Sequence, residues 1–95
     1  MRRLLWSAQA QLDLALVDDQ LFVEDPDFGN HVAMSAVYSA RFLPDWPYAG
    51  ATIGENAHRK WPINKTPYIL IYSSEKTDIT MLRVYHERQD RGVMP

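Results

Sequence analysis

Cysteine is absent from this chain, so a disulfide framework, a thiolate nucleophile and a cysteine-ligated zinc site are all excluded. Glycine is scarce, with four in 95 residues. Gly50 and Gly54 fit neither the Walker nor the dinucleotide-binding pattern, so no phosphate-cradling loop is expected. No apolar run approaches the length needed to span a bilayer. Gln9, Gln11 and Asp13 interrupt the apolar start Leu4-Leu5-Trp6, which argues against a secretory leader. His31, His58 and His86 are far apart and lack metal-ligand spacing, so neither a metal nor another cofactor is expected.

The composition is that of an ordinary globular protein, 46% hydrophobic and 23% charged, and the length suits one domain over residues 1–95. The net charge of −2 conceals an asymmetry. Residues 1–57 carry three arginines against eight acids, whereas residues 58–95 carry seven bases against four acids. A basic second half suits an anionic or acidic partner.

Arg2 to Trp6 reads as a first strand, and Ser7 as the N-cap of a helix over Ala8–Glu24. Ala10, Leu14, Val17 and Leu21 form the stripe of that helix, broadened by Leu12, Ala15 and Leu16. Asp13, Asp18 and Asp19 are read as a solvated edge. Asp25-Pro26 breaks the chain and starts a second helix, because proline at the first turn loses no needed N–H. Ala33, Ala36, Val37, Ala40 and Leu43 give this helix its apolar stripe, and Pro44-Asp45-Trp46-Pro47 ends it. Residues 44–56 are a loop or contain a short irregular strand. Three runs rich in β-branched and aromatic residues follow, at 58–63, 67–72 and 79–86, separated by turn formers as in an antiparallel meander. The tail from Glu87 to Pro95 is polar and expected to fray.

The order strand, helix, helix, strand, strand, strand predicts an α+β fold. A two-helix hairpin covers one face of a small, mostly antiparallel sheet. Leu14, Val17, Leu21, Val37, Leu70 and Leu82 are the expected core. Strand alternation places Arg59, Trp61 and Ile63 on one face, and Ile79, Met81, Arg83 and Tyr85 together. Guanidinium groups are costly to bury alone, so Arg59 and Arg83 are expected on the open sheet face, near an anionic partner or water.

With those elements in order, the chain resembles the RelE/ParE superfamily of type II toxin–antitoxin toxins over nearly its whole length. The resemblance runs through Trp6-Ser7, Ala10, Asp13-Leu14, Val17 and Leu21. It continues with Asp25-Pro26, then Leu43, Pro47 and Gly50. Arg59, Pro67-Tyr68, Tyr72 and the closing Leu82-Arg83-Val84-Tyr85-His86 with Arg88 and Asp90 complete it. It implies a small cytoplasmic toxin, neutralised by a protein antitoxin in a hetero-oligomer, with no membrane association. One branch of that family cleaves messenger RNA on the ribosome; the ParE-like branch poisons DNA gyrase.

For RNA cleavage the sequence offers Arg59, Lys60, Arg83, His86 and Arg88. The arginines would hold a scissile phosphate and His86 would exchange a proton near neutrality. Against this, no tyrosine follows Arg88, Asn56-Ala57-His58 stand where the RelE-like branch has lysines, and the net charge is negative. The ParE-like reading is therefore preferred. It leaves no catalytic residue assigned and makes Arg59, Trp61, Arg83, His86 and Arg88 the recognition groups for target or antitoxin. An mRNA endonuclease, or an inert relative that only binds its antitoxin, are the alternatives. Each of these residues also has a plainer reading, the arginines in ion pairs and His86, Trp61, Tyr68 and Tyr72 in packing.

Overall fold

The computed structural model describes residues 2–24, 26–54 and 57–87. Its elements are β1 (Arg3–Trp6), α1 (Ala8–Glu24), α2 (Pro26–Ala40), β2 (Ala51–Ile53), β3 (His58–Pro62), β4 (Tyr68–Ser74) and β5 (Asp78–His86). The expected α+β order is present, with β2 supplying the short strand of the 44–56 segment. The five strands lie in the order β1-β5-β4-β3-β2. β1 runs parallel to β5, and every other pair is antiparallel.

Ser7 starts α1 as its side chain predicts. Its Oγ accepts from the Ala10 N–H at 3.0 Å, supplying one of the acceptors that the first helical turn lacks. The same hydroxyl donates to Leu82 O at 3.0 Å, so the cap also ties α1 to β5. Asp25, the expected cap of α2, lies outside the described residues. α2 stops at Ala40 and continues as tighter turns, with Leu43 N–H donating to Ala40 O and Trp46 N–H to Leu43 O, both at 3.0 Å.

The core gathers Ala10, Ala36, Ala40 and Leu43 from the helical side against Ile63, Leu70, Tyr72, Ile79, Met81 and Val84. Alanines at the contact let the helices lie close to one another and to the sheet. Val17 and Leu70 are buried as expected. Three other core assignments change. Leu14 and Leu82 are only half-buried, and Val37 is 37% exposed. The buried stripe of α2 is Val32, Ala36 and Ala40, spaced by four, which places Val37 on the flank. Leu21 lies outside the residues whose side chains are described.

Register decides the sheet faces. Tyr72 pairs with Met81 and Ile71 with Arg83, so Leu82 is an extra residue in β5, a β-bulge. An inserted residue reverses the alternation beyond it. Ile79 and Met81 face the helices, and after the bulge Val84 takes the core position. Arg83 and Tyr85 thereby move to the opposite face. The expectation that Ile79, Met81, Arg83 and Tyr85 share a face fails at this one residue.

Candidate functional site

β1 flanks β5 only as far as the Trp6–Met81 pair. From Leu82 onward the edge of β5 is approached by α1 instead, and a cleft of about 360 Å³ opens there. Asp13, Leu16, Tyr68, Arg83, Tyr85 and His86 are among its walls.

Asp13 takes the place of the missing strand. Its Oδ2 accepts from the Val84 N–H at 2.9 Å and from Arg83 Nε at 2.8 Å, while Oδ1 accepts from Arg83 Nη2 at 3.3 Å. Gln9 Nε2 donates a fourth bond at 3.3 Å. The Asp13 side chain is 8% exposed and that of Arg83 36%. Burial pushes the Asp13 carboxyl up, but the bonds from Arg83, Val84 and Gln9 together with the Arg83 charge outweigh it, and the pKa lies below its ordinary value. Arg83 is raised in turn, chiefly by its hydrogen bond to Asp13. The Arg83 guanidinium also lies 4.9 Å from the centre of the Tyr85 ring.

Asp13 was expected at a solvated edge, and this is a correction. It stands three residues after Ala10 and four before Val17, inside the buried stripe. A carboxylate at such a position signals a buried partner, and that signal was present in the spacing. Asp18 and Asp19 lie outside the residues whose side chains are described.

His86 lies opposite Tyr68, with ring centroids 5.2 Å apart in an edge-to-face arrangement. It is half-buried and lines the cleft. Lys60 pairs with Ile71 and therefore shares a face with Arg83. Arg88 lies outside the described residues, as does the rest of the tail, 88–95.

Arg59 does not line the open face. It pairs with Tyr72, a core residue, and so points to the helical side of the sheet. There Arg59 Nη1 donates to Gly50 O at 2.7 Å and Tyr48 O at 3.1 Å, and its guanidinium sits 5.1 Å from the Tyr48 ring centre. Tyr72 completes this lock. Its hydroxyl accepts from Gly50 N–H and donates to Pro47 O, each at 3.0 Å. Burial raises the Tyr72 pKa, partly offset by the Gly50 bond and the Arg59 charge. The segment Pro47–Gly50 is thus held by one arginine and one tyrosine. Arg59 and Arg83 stand on opposite faces and do not converge.

Trp61 shares the helical side with Arg59. Its Nε1 donates to Ser39 O at 3.1 Å, and its ring stacks on Phe42 at 5.5 Å with 6° between planes. Tyr72 is core and Tyr68 half-buried beside it, in line with their plainer reading. Among the described residues, no three His, Asp or Glu side chains gather where a metal ion could sit. Among the same residues, no helix is long and apolar enough to cross a membrane.

No family model and no curated protein sequence matches the chain. Solved structures do match. A chain of the chromosomal ParDE TA system from P. aeruginosa superposes with a TM-score of 0.79 at 20% identity, covering 90% of this chain and 96% of that one. A histidine-to-glutamine variant of YafQ from E. coli superposes with a TM-score of 0.65 at 16% identity, covering 97% and 100%. YafQ from E. coli strain BL21(DE3) gives 0.56 at 17% identity over the same shares. At such identities the likeness is one of fold: this chain has the RelE/ParE-like architecture, a helical hairpin on a mostly antiparallel five-stranded sheet.

Proposed function

We propose that this chain is the toxin component of a type II toxin–antitoxin pair. In this reading residues 1–95 act as one cytoplasmic domain, held in check by a protein antitoxin, and inhibit growth by binding DNA gyrase rather than by cutting RNA. The fold shared with a chain of a ParDE TA system supports the pairing with an antitoxin.

The observation that carries the choice of mechanism is the disposition of the two arginines. Phosphoryl chemistry needs cationic donors aimed together at the position of a scissile phosphate. Here Arg83 is engaged by Asp13 at 2.8 Å and Arg59 by backbone carbonyls, on opposite faces of the sheet. Each holds parts of the fold together. As recognition groups they act through the surfaces they shape, with Arg83 and His86 at the α1–β5 cleft and Trp61 against α2.

One observation favours the second reading, a ribosome-dependent mRNA endonuclease. The cleft brings Arg83, His86, Tyr68 and Tyr85 together, and a phosphate could compete with Asp13 for the exposed part of Arg83. In that reading His86 moves the proton and Arg83, Lys60 and Arg88 hold the phosphate.

Purified chain added to gyrase with supercoiled plasmid, and separately to programmed ribosomes, distinguishes the two. Trapped gyrase–DNA cleavage complexes with intact mRNA are the expected result. Codon-specific mRNA cuts that vanish in His86→Gln would assign the nuclease instead.

A further inference from the structure

Two arginines meet at the exposed Tyr48 ring, and among the described residues neither has a counter-ion. Arg59 stands 5.1 Å from the ring centre and Arg2, just ahead of β1, 5.6 Å from it. They reach it from strands separated by β5 and β4. Both are anchored by backbone. Arg59 Nη1 donates to Gly50 O and Tyr48 O, and Arg2 Nε donates to Glu75 O at 2.6 Å. Arg2 Nη2 lies 3.4 Å from the Tyr48 hydroxyl. Carbonyls orient a guanidinium without cancelling its charge. Among the described residues the arginine ion pairs are Arg3 with Asp78 and Arg83 with Asp13. Nε and Nη2 of Arg59 and Nη1 of Arg2 find no acceptor among the same residues. The ring itself is fixed, because Tyr48 lies in the Pro47–Gly50 segment that Tyr72 and Arg59 hold.

This corner of the fold is made by the start of β1, the turn between β4 and β5 and the start of β3. Asp78 is taken by Arg3 at 2.8 Å. Among the described residues that leaves Arg2, Arg59 and Lys76 against Glu75, an excess of two positive charges in a chain whose net charge is −2. Ser74, one residue before the carbonyl that holds Arg2, faces the same side of the sheet as Tyr72, and its buried hydroxyl has no hydrogen-bond partner among the described residues. The corner is therefore short of acceptors as well as of negative charge. Those shortages select the ligand. A carboxylate brings one charge and two oxygens in one plane, enough for one guanidinium fork. A single phosphate likewise fills one fork. A diphosphate, two phosphoryl groups joined through one oxygen, offers a group to each arginine and carries at least the two charges that the corner lacks.

We propose that Arg2, Tyr48 and Arg59 form a binding site for a diphosphate group, free or carried by a nucleotide. Each arginine takes one phosphoryl group, and the Tyr48 hydroxyl donates between them. The site is independent of the toxin reading, because it shares no residue with the α1–β5 cleft.

The test titrates the full chain with inorganic diphosphate, ADP, inorganic phosphate and acetate at fixed ionic strength, read by calorimetry. Diphosphate or ADP should bind at least about tenfold more tightly than phosphate or acetate. ADP ahead of diphosphate would assign the site to a nucleotide, and the reverse order to the free ion; either upholds the proposal. Arg2→Gln removes one cation without touching the Tyr72 lock, and should lose at least about tenfold in affinity with an unchanged circular dichroism spectrum and melting temperature. Arg3→Gln removes the same charge one residue away, on the other face of the sheet, and should change affinity by less than about threefold. Equal losses in the two variants would mean attraction by net charge alone, and overturn the proposal. Equal affinity for diphosphate and phosphate overturns it too. Amide shifts on titration should centre on Tyr48 and Glu75; shifts centred on Val84 would place the ion in the α1–β5 cleft and overturn the assignment.

Discussion

Replacing Asp13 by alanine should destabilise this protein more than any other change at a polar side chain of the α1–β5 cleft. The side chain is 8% exposed and accepts from the Val84 N–H, from two nitrogens of Arg83 and from Gln9. Its removal leaves the buried Val84 N–H without an acceptor, a loss of about 1–3 kcal/mol. Arg83 loses its counter-ion as well, but its side chain is 36% exposed and can turn to water, so this part is discounted to no more than about 1 kcal/mol. The total is roughly 1–4 kcal/mol, a large part of the ~5–15 kcal/mol available to a small domain. Asp13→Asn keeps an acceptor for Val84 and should cost about half as much. Equilibrium urea unfolding measures both, with an unchanged m-value as the sign that only stability has moved. Because the folded pKa of Asp13 lies below its unfolded value, its contribution is present above the unfolded value of about 3.9 and is lost as pH falls through the folded pKa. Asp13→Asn should therefore flatten the acid limb of the stability curve. A cycle of Asp13→Ala and Arg83→Ala isolates the pair. A loss under about 0.5 kcal/mol in Asp13→Ala, within the range of ordinary surface substitutions, would refute this reasoning. So would an unchanged acid limb in Asp13→Asn.

Gly50→Ala should be severe, because a Cβ there would stand 2.5 Å from Lys60 O and 2.9 Å from the Tyr72 ring, and thermal denaturation should register a loss of about 2 kcal/mol or more. Tyr72→Phe removes the hydroxyl that joins Gly50 N–H to Pro47 O and should cost about 1–3 kcal/mol, with faster amide exchange at Gly50. Leu70→Ala, at a fully buried site, should cost about 2–5 kcal/mol in chemical unfolding, and Leu14→Ala, half-buried, clearly less.

Local chemistry settled the succession of elements. Ser7 caps α1, a second helix begins at Pro26, and runs rich in β-branched and aromatic residues become β3, β4 and β5. Those features act over a few residues, so they can be read from a single chain. The alanines of α2 announced close packing, and Val17 and Leu70 announced burial, because amphipathic periodicity is also local.

The candidate site was decided elsewhere. Which face Arg83 takes depends on the bulge at Leu82, and that extra residue exists only because β4 and β5 pair in one particular register across the molecule. Asp13 becomes buried because β1 ends at Trp6, leaving an unflanked stretch of β5 that a helix carboxylate then satisfies. Arg59 finds acceptors nine and eleven residues back, in a loop whose course is set by Tyr72. Each outcome turns on contacts between residues distant in sequence, for which a period of two or of 3.6 carries no information. Alternation specifies that neighbouring side chains of a strand point to opposite faces, but tertiary pairing alone determines which face meets the helices and where the count is broken.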